Sequence, residues 1–294
     1  MKQQQVIAVV CAALVIAVAA GCTASHRVPS PTSAGAPTAG ASGTATATAS
    51  ATASPRLPRS VSATPSPSPL PRPNSDRPGP VLVIPGFGDD ETMLADLVRR
   101  LRNSGRETTV VDLPGNATGD LRTQAQTVVG YIEQATTRGA DSVDLVGYSA
   151  GGLVAALAVL QDGGHVRRVV SIGTPFHGTA VARFADAYAP SACPPACREM
   201  TPGSPLLEFL AAQNPARRGV PWLSIYSETD GVVQPPTSSV LDGAVNVAVQ
   251  GRCRSDTVSH TLLPRDPVVL ALVTGALGGD ALSALPTVTC PAAG

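Results

Sequence analysis

The chain has little lysine and few aromatic residues. Lys2 is the only lysine among 294 residues, and phenylalanine, tyrosine and tryptophan together make up 3% of the sequence. The hydrophobic 43% of the chain therefore consists mainly of Val, Leu, Ile and Ala, and these residues must build the core. The formal net charge is zero, which argues against a nucleic-acid-binding protein that depends on a basic surface.

Residues 1–21 have the layout of a signal peptide. Lys2 supplies a short positive region, and an apolar run from Val6 to Ala20 follows that is too short for an ordinary membrane span. The run ends at Ala19-Ala20-Gly21-Cys22, where small residues before a cysteine resemble a bacterial lipobox. In a lipobox the cysteine is lipidated and becomes the mature N-terminus. Signal cleavage near Ala19, which gives a soluble product, is the alternative.

The number of cysteines favours lipidation of Cys22. The sequence contains Cys11, Cys22, Cys193, Cys197, Cys253 and Cys290. Cys11 leaves with the signal peptide, and an unmodified Cys22 would give the mature protein an odd number of thiols. If Cys22 carries a lipid, four cysteines remain that can pair in an oxidising compartment. We therefore expect an exported protein, either a cell-surface lipoprotein anchored to the membrane through Cys22 or a secreted protein.

Residues 22–78 differ in composition from the rest of the chain. Ala, Thr, Ser, Pro and Gly dominate this segment, and it shows no apolar period. Such a segment cannot bury enough apolar surface to fold, so we expect a disordered tether that holds the next domain clear of the cell surface. A low-complexity tail without a spacing role is the alternative.

Residues 79–294 alternate between strand patterns and helix patterns. The strand patterns include continuous apolar runs, which are typical of strands buried on both faces. The clearest strands lie at 81–84, 143–148, 166–172 and 222–226. The alternation predicts an α/β fold with a mostly parallel sheet and helices on both faces.

The alternation lapses at 177–220, where we expect a cap insertion. This segment contains one short helical pattern around Leu206–Leu210. The helix either lines an acyl pocket, with Leu206 and Phe209 as substrate-binding residues, or packs on the core.

A candidate nucleophile lies in the middle of the domain. The sequence Gly147-Tyr148-Ser149-Ala150-Gly151 matches the pattern G-x-S-x-G. The serine lies where an apolar strand ends and a helix rich in small residues begins, as in the nucleophile elbow of α/β-hydrolases. A serine without a catalytic role in a glycine-rich turn is the alternative.

A serine hydroxyl needs a base and an acid, and in this fold they follow it in the order acid, then histidine. His260 lies between the last strand and the final helix, where the base belongs, whereas His165 and His177 lie in earlier loops. Asp230 closely follows the strand at 222–226 and is the preferred acid. The weaker candidates are Glu228, Asp242 and Asp256.

The oxyanion of an acyl-transfer reaction needs two preformed donors. One should be the backbone N–H of Ala150, directly after the nucleophile. The other should come from Pro85-Gly86-Phe87-Gly88, the loop after the first strand, and we assign it to the N–H of Phe87. An ordinary strand-ending turn is the alternative.

Three segments together resemble the bacterial class 2 lipases, and more closely the Candida antarctica lipase B type with its actinobacterial relatives. These are Val83-Ile84-Pro85-Gly86-Phe87-Gly88, Tyr148-Ser149-Ala150-Gly151-Gly152, and the segment 226–235, which carries Asp230. The resemblance extends from about residue 80 to residue 290. It implies an α/β-hydrolase fold and a cofactor-independent serine ester hydrolase with Ser149, Asp230 and His260 as its triad.

The sequence departs from this family at two positions of the expected site. The lipase B type has a threonine where Phe87 stands, so Phe87 offers only its backbone donor. Tyr148 replaces a tryptophan, and we expect it to bind substrate on the alcohol side of the site.

The family also implies a disulfide near the catalytic histidine, which Cys253 and Cys290 fit. Cys193 and Cys197 would then close a small loop, although four cysteines allow three pairings. A metal site at Cys193 and Cys197 is the alternative, but it has too few ligands, and we expect no metal or cofactor.

These observations favour a lipase or esterase that cleaves acylglycerol-type esters, acting as a monomer on lipid or small ester substrates. A cell-envelope acyltransferase that uses the same acyl-enzyme is one alternative. An inactive hydrolase scaffold that binds at the surface is another.

The lipobox generates a first prediction. Cells grown with labelled palmitate should label the wild-type protein and not a Cys22→Ala variant, because the thioether is the attachment point of the lipid. Labelled bands would be compared on gels after solvent extraction. Equal labelling of both proteins would contradict lipidation at Cys22.

Overall fold

A computed structural model describes residues 77–278 and 282–290 of the chain. The expected signal peptide, Cys22 and nearly all of the expected tether lie outside these residues. Within the described ranges, no helix is both long enough and apolar enough to cross a membrane.

Six parallel strands form one sheet in the order β2-β1-β3-β4-β5-β6. The strands are β1 (Val81–Ile84), β2 (Thr108–Val110), β3 (Val143–Tyr148), β4 (Val166–Ile172), β5 (Trp222–Tyr226) and β6 (Val245–Ala248). After β2, which lies at one edge, the chain passes over β1 to form β3 on its other side, so β1 and β3 are neighbours although β2 separates them in sequence. The predicted mostly parallel α/β architecture is confirmed.

Seven α-helices lie in the described part of the chain. They are α1 (Ala95–Asn103), α2 (Leu121–Thr137), α3 (Ala150–Asp162), α4 (Ala180–Tyr188), α5 (Pro195–Glu199), α6 (Pro205–Gln213) and α7 (Pro267–Gly278). Short 3₁₀ segments join several of them, and one of these, His260–Arg265, begins at the predicted base.

The core forms two layers, one on each face of the sheet. Successive residues of β1 alternate between them, because side chains along a strand point to opposite faces. Leu82 and Ile84 pack with α2 and α3, whereas Val81 and Val83 pack with α1 and α7. Both faces are therefore covered, which explains the continuous apolar runs of the strands.

The segment 177–220 carries more structure than its sequence pattern indicates. It contains α4, α5 and α6, and it is joined to the body by several hydrogen bonds. The carboxylate of Glu199 accepts a hydrogen bond from the N–H of Leu121 at 2.8 Å, and the N–H of Ala196 donates to Thr118 O at 3.2 Å. Whether this segment serves as a cap stays a prediction.

A buried ionic cluster joins the amino ends of the strands to α7. Asp144 of β3 is fully buried, and its carboxylate accepts hydrogen bonds from Arg167 at 2.5 and 2.9 Å and from Arg106 at 2.6 Å. Both arginines also donate to the carbonyl of Leu277, at 2.7 and 2.9 Å, near the end of α7. The cluster therefore neutralises a buried charge and fixes the last helix on the sheet.

Replacement of Asp144 by asparagine should strongly destabilise the domain. The change leaves two guanidinium groups without their carboxylate, and breaking such a buried pair costs about 3–5 kcal/mol. The free energy of unfolding of the full chain would be measured by urea denaturation.

The matched control is Asp242→Asn, which breaks an exposed ion pair with Arg217. Exposed pairs contribute little, so we expect a change within about 0.5 kcal/mol. Equal losses for the two variants would contradict the proposed role of the Asp144 cluster.

Candidate active site

Ser149 occupies the strained turn between β3 and α3. Its backbone has φ 54° and ψ −126°, a conformation that costs a residue with a side chain about 1–3 kcal/mol. The N–H of Ser149 donates to Ile172 O at 2.8 Å, and its carbonyl accepts from the N–H of Gly152 at 3.0 Å. These bonds hold the turn and place the hydroxyl at the carboxyl end of β3, as in a nucleophile elbow.

The three predicted triad residues lie in one line of hydrogen bonds. Nε2 of His260 is 3.0 Å from Oγ of Ser149, and Nδ1 of His260 is 2.6 Å from Oδ2 of Asp230. The side chains are nearly buried, with Asp230 only 1% exposed. The carboxylate can thus fix the imidazole so that Nε2 accepts the hydroxyl proton.

The Asp230 carboxylate is held by its own loop. Its Oδ1 atom accepts hydrogen bonds from the N–H groups of Val232 and Val233, both at 2.8 Å. The side-chain amide of Gln234 donates to the carbonyl of Asp230. Oδ2 is consequently left to face His260.

A second set of bonds joins the loop of the acid to the loop of the base. Oγ of Ser227 donates to the carbonyl of Val258 at 2.6 Å. Nε2 of Gln250 lies between the two loops and contacts Ser227 Oγ and Asp256 O, each at 3.0 Å. The separation between acid and base therefore depends on more than their direct contact.

Tyr148 packs behind His260. Its hydroxyl donates to the main-chain carbonyl of His260 at 3.0 Å, and the two rings are tilted by 32° with centres 5.2 Å apart. Burial raises the pKa of the Tyr148 hydroxyl, and the nearby Asp89 and Asp230 carboxylates add to this shift. The hydroxyl therefore remains a hydrogen-bond donor at neutral pH.

Both predicted oxyanion donors are near the nucleophile. Ala150 is the first residue of α3, so its N–H has no partner within the helix. The loop after β1 is held by a hydrogen bond from Gly88 N–H to Asn116 O at 2.9 Å. In residues 77–278 and 282–290 the N–H of Phe87 donates to no acceptor, which leaves it available to a substrate oxygen.

The other two candidate histidines and one of the other candidate acids have partners of their own. His165 pairs with Asp162 at 2.8 Å, and His177 is exposed with Nε2 3.1 Å from Val240 O. Asp256 accepts a hydrogen bond from Val258 N–H at 2.9 Å and so stabilises its own loop.

The predicted substrate-binding residues have different environments. Tyr148 and Leu206 are 2% and 3% exposed, and both are part of the core. Leu206 therefore packs as a core residue of α6, and Tyr148 supports His260. Phe209 is 37% exposed, and the Arg122 guanidinium lies 4.5 Å from its ring centre. A contact between substrate and any of these three residues stays a prediction.

The structure contains two disulfide bonds, Cys193–Cys197 and Cys253–Cys290. These are the pairings that the family resemblance implies. Cys253 precedes the His260 loop, and its bond attaches that loop to the C-terminal segment. Over the described ranges, no group of three or more His, Cys, Asp or Glu side chains has the arrangement of a metal site.

Sequence reasoning missed Asp89, which lies beside the triad. Burial raises the pKa of its carboxyl group to about 6, with the charge of His260 opposing this shift and that of Asp90 adding to it. Its position two residues after Phe87 was a usable signal, because the predicted oxyanion loop must lie against the nucleophile.

Comparisons with known proteins agree with this fold. Residues 79–192 match the family described as the alpha/beta hydrolase fold. No curated protein matches the sequence.

Solved structures give the same result. Aspergillus fumigatus lipase B superposes with a TM-score of 0.59 at 21% identity, over 70% of this chain and 55% of that chain. The present chain thus spans little more than half the length of that lipase. Mature Bacillus licheniformis lipase BlEst2 superposes with a TM-score of 0.52 at 18% identity, over 67% of this chain and 89% of that one. The chain has the α/β-hydrolase fold.

The nucleophile turn generates a prediction about Gly151. A Cβ atom there would lie 2.5 Å from the carbonyl oxygen of Pro85 and would collide with that of Ile84, so Gly151→Ala should destabilise by about 3 kcal/mol or more. Gly130→Ala is the matched control, because Gly130 lies inside α2 with open space around it. Alanine there should stabilise by about 0.5–1 kcal/mol. Thermal unfolding would measure the stability of both variants. Equal changes in stability for Gly151→Ala and Gly130→Ala would contradict close packing of α3 on β1.

Proposed function

We propose that the protein is a serine carboxylic-ester hydrolase, a lipase or esterase that acts on acylglycerol-type esters. The observation that carries this proposal is the line of hydrogen bonds from Asp230 through His260 to Ser149. Lipases among the structural neighbours support the choice of ester substrates.

The reaction begins with attack by Oγ of Ser149 on the ester carbonyl carbon. Nε2 of His260 takes the hydroxyl proton as the new C–O bond forms, and Asp230 stabilises the resulting imidazolium. The carbonyl oxygen becomes an oxyanion that accepts hydrogen bonds from the N–H groups of Phe87 and Ala150.

Collapse of this intermediate releases the alcohol and leaves an acyl group on Ser149. The leaving alkoxide takes the proton from His260, so His260 is neutral again. A water molecule then attacks the acyl-enzyme with His260 as the base, and the second collapse restores Ser149 and releases the acid.

The compartment and anchor form part of the proposal. Disulfides persist in oxidising environments, so Cys193–Cys197 and Cys253–Cys290 support export. We infer that Cys22 carries the lipid anchor and that residues 22–78 connect it to a monomeric catalytic domain.

The full-length protein and its Ser149→Ala variant should differ greatly in hydrolysis of p-nitrophenyl esters with acyl chains from about two to about sixteen carbons. Loss of the nucleophile should lower kcat by roughly 10⁴-fold or more. The acyl length with the highest kcat/KM would separate a short-chain esterase from a lipase. Ser191→Ala, at an exposed serine, is the matched control and should retain wild-type activity.

A fluorophosphonate probe completes the test. Labelling of the wild type and the Ser191→Ala variant, but not of Ser149→Ala, is the expected result. Labelling without ester turnover, followed by acyl transfer to an added alcohol, would favour the acyltransferase. A folded wild-type protein that neither reacts with the probe nor turns over esters would contradict the proposed function.

A further inference from the structure

Asp89 brings a second carboxyl group to the reaction centre. It belongs to the same loop as Phe87, and its N–H donates to Gly86 O at 3.2 Å. A Cβ atom on Gly86 would lie 2.5 Å from Oδ2 of Asp89 and 2.9 Å from Cβ of Ser149. The Asp89 carboxyl group and the nucleophile therefore approach the same face of Gly86. The triad mechanism gives Asp89 no role.

The surroundings of Asp89 are acidic. It lines a cavity of about 380 Å³ together with Asp90, Glu91 and Asp112, and no basic side chain contributes to the lining. His260 is the positive group that faces it when protonated, and that imidazole is already paired with Asp230 at 2.6 Å. The Asp90 carboxylate disfavours a charged Asp89, whereas the protonated form of His260 and the backbone N–H of Gly86 favour it.

Burial outweighs these opposing effects. It raises the pKa of the Asp89 carboxyl group to about 6. The group is neutral below this pH and ionised above it, so it changes charge in the range where serine hydrolases are commonly assayed.

We propose that Asp89 is a further functional group of the reaction centre, which supports the transition state when it is neutral and opposes it when it is ionised. This inference rests on the proposed ester hydrolysis. No proton leaves Asp89 during the reaction, since His260 carries every proton that moves between Ser149, the leaving alcohol and the attacking water.

The charges of the transition state give the direction of the effect. Attack by Ser149 places one new negative charge on the substrate oxygen, beside the loop that carries Phe87 and Asp89. The new positive charge forms on His260, where Asp230 already balances it. An ionised Asp89 therefore adds repulsion at the oxyanion. Because the positive charge of His260 is already shared with Asp230, we expect this repulsion to outweigh the attraction between Asp89 and His260. A neutral Asp89 removes that repulsion and offers an O–H donor on the same side.

The experiment compares the wild type with Asp89→Asn over about pH 5 to about pH 8. Asparagine has nearly the same shape, keeps a donor and cannot ionise. The ratio of kcat/KM for the variant to that for the wild type isolates the effect of the ionisable carboxyl group, because the two proteins differ only at this side chain. We expect a ratio of kcat/KM near 1 at low pH that rises above about pH 6 to about tenfold. The reason is that a transition state that raises the pKa of Asp89 by one pH unit lowers kcat/KM of the ionised enzyme about tenfold.

Asp90→Asn is the matched control, because it removes the same charge from an adjacent, exposed carboxylate. Its ratio to the wild type should stay within about twofold. The pH at which ionisation of Asp89 lowers the activity by half should be lower in Asp90→Asn than in the wild type. Removal of the neighbouring negative charge lowers the pKa of Asp89. Circular dichroism of each protein checks that folding is unchanged.

An active wild type with a ratio that stays flat, or falls as the pH rises, would overturn the role of Asp89 and leave the proposed function intact. An equal rise for Asp90→Asn would also overturn it, because the effect would then belong to total charge. A wild type without ester turnover at any pH would contradict the proposed function and this inference together.

Discussion

The backbone of Ser149 holds a left-handed turn at the end of β3, and the other parts of the site are arranged around it. The turn exists only because α3 starts directly against β1, where Gly151 leaves no Cβ to meet the carbonyls of Ile84 and Pro85. The same close approach brings the loop after β1 to the nucleophile. One packing constraint therefore fixes the hydroxyl, the N–H of Ala150 and the neighbourhood of Phe87 together.

Three acids of this domain show how surroundings decide what an aspartate does. Asp144 lies between two guanidinium groups at the amino ends of the strands and contributes to stability. Asp230 faces one imidazole and two backbone N–H groups at the opposite ends, where it can orient a base. Burial raises the pKa of Asp89, although His260 and the backbone N–H of Gly86 oppose this shift. The sheet separates the structural cluster from the reactive acids by the length of its strands.

The sequence predicted the fold correctly because it follows from local patterns, and the structure brings the three predicted triad residues within hydrogen-bond distance of one another. Strand β3, the small residues after it and the order of Ser149, Asp230 and His260 are visible in the chain itself. The position of the Tyr148 side chain could not be predicted, because both faces of β3 are buried and its apolar pattern does not distinguish them. The structure shows that Tyr148 faces α1 and α7 and donates a hydrogen bond to His260. Asp89 was missed for a similar reason, since its pKa depends on burial and on His260, which is distant in sequence. Helices α4 and α5 were missed because both are short and the prolines at 190, 194 and 195 interrupt their segment.

In the proposed mechanism both oxyanion donors are main-chain groups. No substitution other than proline removes the N–H of Phe87, whereas a donor that belongs to a side chain is lost in many single mutations. The Phe87 ring packs against the core layer formed with α2 and α3. Residue 87 can thus change in size and polarity during evolution or in a designed library, while the group that stabilises the reaction stays in the backbone.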